Sequence, residues 1–169
     1  MTQWIDQLPK AESIVADARR KGLIIATAES CTGGLIAGLL TEVPGSSAVI
    51  DRGFVTYSNE AKQEMLGVPF ETLEAVGAVS RETAIAMAEG ALKNSHADMA
   101  VSVTGIAGPG GGSSQKPVGT VHLALAAKNQ KTEHLAAQFG DLGRDEVRLQ
   151  AVVKALELIS NSINSPSEI

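Results

Sequence analysis

Two short apolar runs constrain this chain more than any other feature. Leu23-Ile24-Ile25-Ala26-Thr27 and Met99-Ala100-Val101-Ser102-Val103 show no regular alternation of polar and apolar residues. Runs of this kind suit strands buried on both faces, which requires helices on both sides of a largely parallel sheet. The intervening sequence supplies them. Ile5 to Lys21 carries an imperfect helical period that stops at Gly22, and Leu35, Ile36, Leu39, Leu40 and Val43 recur at helical spacing until Pro44-Gly45. Val49 to Tyr57 reads as a strand, Ser58 or Asn59 as the cap of a helix to Leu66, and Ser80 to Asn94 as a further helix.

Beyond the second apolar run the pattern changes. Thr104 to Ser113 is the most glycine-dense segment and must be a loop. Gly119 to Ala127 and Thr132 to Phe139 flank Lys128-Asn129-Gln130-Lys131 as an antiparallel hairpin. A helix over about Arg144 to Ser160 closes the pattern, and the polar tail from Asn161 is expected to fray. The fold class expected is α/β: a three-layer α/β/α arrangement with a mixed, mostly parallel sheet ending in an antiparallel hairpin. At 169 residues one domain is expected over 1–169, with its core at about 5–160 and the polar tail at 161–169.

Composition narrows the function classes. The net charge of -5 is dispersed, so no basic stripe is available for a phosphate backbone and a nucleic-acid partner is disfavoured. No apolar stretch approaches the roughly 20 residues of a bilayer span. The single cysteine cannot form an internal disulfide, and no secretory leader pattern opens the chain. A cytoplasmic protein without a membrane partner is expected.

Ligands of open α/β sheets bind beyond the carboxyl ends of the strands, and three segments fall there. In Ala28-Glu29-Ser30-Cys31-Thr32-Gly33-Gly34, Ser30 and Cys31 stand side by side at a strand-to-helix turn. If the helix begins near Thr32, the surrounding amides and the helix dipole could hold an oxyanion. Position alone favours the plainer reading, in which Ser30 or Thr32 caps the helix and Cys31 is a small buried hydrophobe. In the second segment, Tyr57 closes a strand and Lys62 lies in the first turns of a helix, where a positive charge is unwelcome. A desolvated Lys62 could act as a general base, against the alternative of a solvated surface lysine beside a packed tyrosine ring. The third segment, VTGIAGPGGG, offers backbone amides to an anion but matches neither the P-loop nor the dinucleotide fingerprint. His96, His122 and His134 lack metal-ligand spacing. Arg144 and Arg148, one turn apart, could hold an anion or a neighbouring subunit, although a solvated helix face is the simpler account.

The ordered motifs ATAESCTGGLIAGLLTEVPGSSAVIDRGFVTYSNEAKQEMLGV, VTGIAGPGGG and VGTVHLA closely resemble the carboxyl-terminal domain of the CinA family, the nicotinamide-nucleotide amidohydrolases. Members occur as this domain alone or behind a molybdopterin-binding-like domain, and this chain looks like the stand-alone form. The resemblance implies hydrolysis of the carboxamide of nicotinamide mononucleotide to nicotinic acid mononucleotide and ammonia, in pyridine-nucleotide salvage, with no metal or cofactor. It also implies a homo-oligomer, and a catalytic serine, tyrosine and lysine that fall on Ser30, Tyr57 and Lys62. Amides around Cys31, Thr32, Gly33 and Gly34 then become oxyanion-hole candidates. Gly105, Ile106, Ala107, Gly108 and Gly110, with Arg144, become the candidate contacts to the nucleotide. Three rivals remain: a thiol enzyme using Cys31, a non-catalytic nucleotide-binding module, and a structural or interaction protein.

Overall fold

Successive residues of a strand face opposite sides of a sheet, and here the two sides differ in size. In the computed structural model, which describes residues 3–166, Ile25, Met99, Val101, Val103, Val121, Leu123 and Leu125 pack into one core cluster. Their fully buried apolar neighbours on the other face, Ala26, Ala28, Ala100, Ala124 and Ala126, are all alanine. The strands are β1 (Ile25–Glu29), β2 (Ile50–Val55), β3 (Met99–Gly105), β4 (Thr120–Ala127) and β5 (Glu133–Gln138). They form one sheet in the order β2-β1-β3-β4-β5. The pairs β1–β2 and β1–β3 are parallel, while β3–β4 and β4–β5 are antiparallel, so only β4 runs against the rest.

Helices α1 (Leu8–Lys21), α2 (Leu35–Glu42) and α6 (Arg144–Asn164) cover the face of large side chains. On the alanine face lie α3 (Asn59–Leu66), α4 (Phe70–Val76) and α5 (Arg81–Lys93). Small side chains let α5 settle close to the sheet, where the Ser102 hydroxyl donates to the Ala84 carbonyl at 2.5 Å. Helix α5 also approaches α3 so closely that a Cβ at Gly90 would stand 2.0 Å from the Leu66 carbonyl oxygen.

Local chemistry sets the ends of these helices. Gly22 and Gly67 adopt the left-handed conformation that terminates α1 and α3. Ser58 and Ser80 accept from the amides of Ala61 and Thr83 at 3.0 and 3.1 Å, opening α3 and α5. The expected three-layer order and terminal hairpin are observed. Three details differ. The first strand runs from Ile25 to Glu29, two residues later than the apolar run, because Leu23 still belongs to the turn that closes α1. Helix α4 was not expected. Helix α6 continues past Ser160 to Asn164 because Ile163 is buried in the core.

Strand β1 lies between β2 and β3, so the chain leaves it in one direction and returns on its other side. A crevice opens beyond the carboxyl end of a strand at such a reversal. Ser30 is the first residue past β1.

Candidate active site

A buried amine without an anionic partner dominates this crevice. Lys62 projects from the first turn of α3 and is 1% exposed. Its Nζ lies 3.0 Å from Ser30 Oγ, 2.8 Å from the Thr56 carbonyl and 3.3 Å from the Tyr57 carbonyl. Among the described residues no carboxylate forms an ion pair with it. Burial therefore penalises the ammonium and lowers its pKa from 10.5 to about 8. A neutral amine has two N–H donors and one lone pair. With the two carbonyls taking the donors, the lone pair is left for the Ser30 hydroxyl.

Ser30 is held on both sides of its own backbone. Its amide donates to the Val103 carbonyl at 2.9 Å, and its carbonyl accepts from Gly33 at 3.0 Å. Neither Ser30 nor Thr32 caps α2, contrary to the simpler expectation. The helix starts at Leu35, with Gly34 as its cap residue, and the buried Glu29 carboxylate accepts from Ile36 and Ala37 at 2.9 and 3.0 Å. An anion of the chain itself thus occupies the positive end of α2. Thr32 Oγ1 is buried without a hydrogen-bond partner among the described residues.

Cys31 is also buried, within the main core cluster. Burial pushes its thiol up to about 11, so the thiolate required of a nucleophile is scarce at neutral pH. The expectation that a helix terminus would activate this thiol fails, because α2 begins farther along and Glu29 already holds its free amides.

The crevice is a cleft of about 250 Å³. Ser30, Cys31, Tyr57 and Lys62 line it together with Gly105, Ile106, Ala107, Gly108, Gly110 and Arg144. Thr32, Gly33 and Gly34 lie behind Ser30 and are not part of this lining. Ala78 and Val79 also face the cleft, and nothing in their chemistry marks them in the sequence. They lie between α4 and α5, where the Thr104 hydroxyl donates to the Ala78 carbonyl at 2.7 Å.

Both arginines reach neighbouring segments, although Arg144 remains exposed on its helix and Arg148 is half-buried. Arg144 donates to the Gly108 carbonyl at 2.8 Å and to the Tyr57 hydroxyl at 3.1 Å, linking the glycine-rich loop to the tyrosine. Tyr57 is 63% exposed. Only its backbone carbonyl reaches Lys62, so the serine–lysine contact is direct. Arg148 donates to the Cys31 and Thr32 carbonyls at 3.0 and 3.4 Å. No group of three or more potential metal-ligating side chains occurs among the described residues, and none of their helices is long and apolar enough to cross a membrane.

Comparison with known proteins converges on one group. The family pattern described as the CinA C-terminal domain matches residues 7–163. The nicotinamide-nucleotide amidohydrolase PncC of Escherichia coli (strain K12) is 50% identical over 150 residues, 88% of this chain and 90% of that protein. A CinA-like protein of Anaeromyxobacter sp. (strain K) is 52% identical over 154 residues, 91% of this chain, which spans 37% of that relative's length. The crystal structure of the competence/damage inducible protein CihA from Agrobacterium tumefaciens superposes with a TM-score of 0.91 at 57% identity, covering 98% of each chain. The match of sequence pattern, relatives and fold over nearly the whole length shows that the chain belongs to the CinA C-terminal domain family.

Proposed function

We propose that the protein hydrolyses the carboxamide of nicotinamide mononucleotide, releasing ammonia and nicotinic acid mononucleotide, through a serine acyl-enzyme. The observation that carries this reading is the buried, unpaired Lys62 amine 3.0 Å from Ser30 Oγ at the wall of an open cleft. The name of the Escherichia coli relative supplies the substrate.

An amide has a weakly electrophilic carbon and a poor leaving group, so its hydrolysis needs an activated nucleophile, a proton for the departing nitrogen and a site for the oxyanion. Ser30 Oγ attacks the carboxamide carbon as its proton passes to the Lys62 lone pair. Collapse of the tetrahedral intermediate breaks the C–N bond. The Lys62 ammonium returns the serine proton to the leaving nitrogen, and the Tyr57 hydroxyl proton is a second donor lining the same cleft. Arg144 donates to the phenol oxygen and leaves that proton free for transfer. Water then attacks the ester, loses a proton to Lys62 and frees Ser30. The glycine-rich wall from Gly105 to Gly110 allows close approach of the nucleotide, and the Arg144 charge suits its phosphate. A cytoplasmic setting in pyridine-nucleotide salvage and self-association belong to the same reading and rest on the family resemblance.

Ammonia release by the purified protein from nicotinamide mononucleotide, nicotinamide riboside and NAD tests it, with Ser30→Ala as control. The expected result is release from the mononucleotide and a loss of about 10³-fold or more in the variant. A wild-type protein that releases no ammonia overturns the substrate. A Ser30→Ala variant of normal rate overturns the nucleophile.

A further inference from the structure

Arg148 carries a permanent charge and five donors, yet among the described residues it pairs with no carboxylate. Its guanidinium instead reaches from α6 to two successive carbonyls of the turn after β1. Nε donates to Cys31 and Nη2 to Thr32. The turn packs on the same group, since a Cβ at Gly33 would meet Arg148 Nη2 at 3.5 Å.

In a planar trans peptide the carbonyl and the amide of the next residue point in opposite directions. Anchoring the Cys31 carbonyl on the α6 side therefore turns the Thr32 N–H away from α6. Anchoring the Thr32 carbonyl does the same for Gly33, whose amide closes on the Ser30 carbonyl. That closure in turn fixes the peptide carrying the Cys31 amide. The Cys31 amide meets only its own sulfur, and neither it nor the Thr32 amide donates to another group among the described residues. Cys31 lines the cleft whereas Thr32 is fully buried, so the Cys31 N–H is the donor directly following Ser30 that faces the reacting group.

We infer that Arg148 is a positioning residue for acyl transfer: it holds the Ser30–Gly33 turn so that the Cys31 amide, at the cleft wall, meets the developing oxyanion. The inference rests on the serine reading above. It assigns to α6 two tasks one turn apart, with Arg144 linking the glycine-rich loop to Tyr57 and Arg148 setting the turn behind the nucleophile.

The test compares Arg148→Met, Arg148→Lys and Arg148→Ala, the last with and without added guanidinium, at controlled folded fraction. Turnover of nicotinamide mononucleotide is measured beside the rate at which a fluorophosphonate labels Ser30. In that labelling the Oγ–P bond forms, fluoride leaves and Lys62 takes the serine proton. Misplaced oxyanion donors cost about 10²-fold in rate. Arg148→Met should accordingly lower kcat and the labelling rate by about that factor, while KM stays within about threefold and the pH midpoint is retained. Guanidinium should restore part of both rates in Arg148→Ala. If Arg148→Met does not fold, Arg148→Lys and the guanidinium arm carry the test. A folded variant with kcat within about twofold of wild type overturns the inference, as does a labelling rate per folded molecule that is unchanged. Should the wild type release no ammonia from the mononucleotide, labelling still decides the role of Arg148, and only the substrate reading fails.

Discussion

Two of the side-chain pairs held at hydrogen-bond distance differ instructively in what surrounds them. Ser30 and Lys62 meet at 3.0 Å beyond the end of β1, and His122 and His134 meet at 2.9 Å between β4 and β5. In both pairs burial is the leading cause of a lowered pKa, in Lys62 and in each histidine. The imidazoles are stacked, with centroids 5.2 Å apart and planes inclined by 21°. Neither histidine lines the cleft, and each uses a ring nitrogen to satisfy the other. Lys62 is arranged differently, because the Thr56 and Tyr57 carbonyls take its donors and leave its lone pair beside a hydroxyl facing open volume. Proximity and a shifted pKa are thus common to both pairs. Spare proton-accepting capacity next to an accessible cavity belongs to one.

Several measurements break or sharpen this contrast. Lys62→Met should reduce ammonia release by about 10²–10⁴-fold, the range of a lost general base, whereas His122→Phe should stay within about twofold. An inversion of those effects would abolish the distinction. The pH profile comes next. Because Lys62 must be neutral to accept a proton, wild-type turnover should rise with pH through about 8, and His122→Phe should leave that limb in place. Linkage gives the matching stability signal. With a folded pKa of about 8 below the ordinary 10.5, the unfolded chain holds more protons between those values. The Lys62 contribution to stability therefore rises with pH across that window. Denaturation of wild type and Lys62→Met at the two ends should show the difference moving in favour of wild type.

A smaller effect is expected at Cys31. Cys31→Ala should keep turnover within about threefold while costing about 1 kcal/mol of stability from lost packing. Abolished activity, measured by ammonia release, would return the thiol reading. The histidines give the slightest signal. Their folded pKa values lie below 6.5, so the unfolded state gains protons first as the pH falls, and the pair's contribution to stability is lost as acidity increases below that value. An acid titration of His122→Phe should lose part of this dependence.

The strand and helix pattern was readable wherever burial imposed a period. Alanines at 26, 28, 100, 124 and 126 looked merely small, yet they form the face that admits α5. Helix α4 escaped because its seven residues fall between Pro69 and Gly77, both of which read as loop punctuation. Among the candidate site residues, the family resemblance drew attention to Ser30, Tyr57 and Lys62. Local physics alone left Ser30 as a cap and Lys62 as a surface charge. The capping role of Glu29 was hidden because a buried carboxylate reveals itself only through the amides it meets seven and eight residues later. Arg148 was hidden for a similar reason, since its partners lie 117 and 116 residues away.

The close approach of Gly90 to Leu66 has a consequence for which substitutions this chain can accept. Helix α3 ends at Leu66, four residues beyond the lysine, so the gap between α3 and α5 sets how deeply Lys62 is sunk. Glycine inside a helix is disfavoured by up to about 1 kcal/mol relative to alanine, and a Cβ at this position cannot be accommodated without moving α3. Under the proposed mechanism position 90, which touches no part of the cleft, would act as a spacer gauge for proton transfer: a single added methyl group would be read out as a change in the alkaline limb of a rate curve.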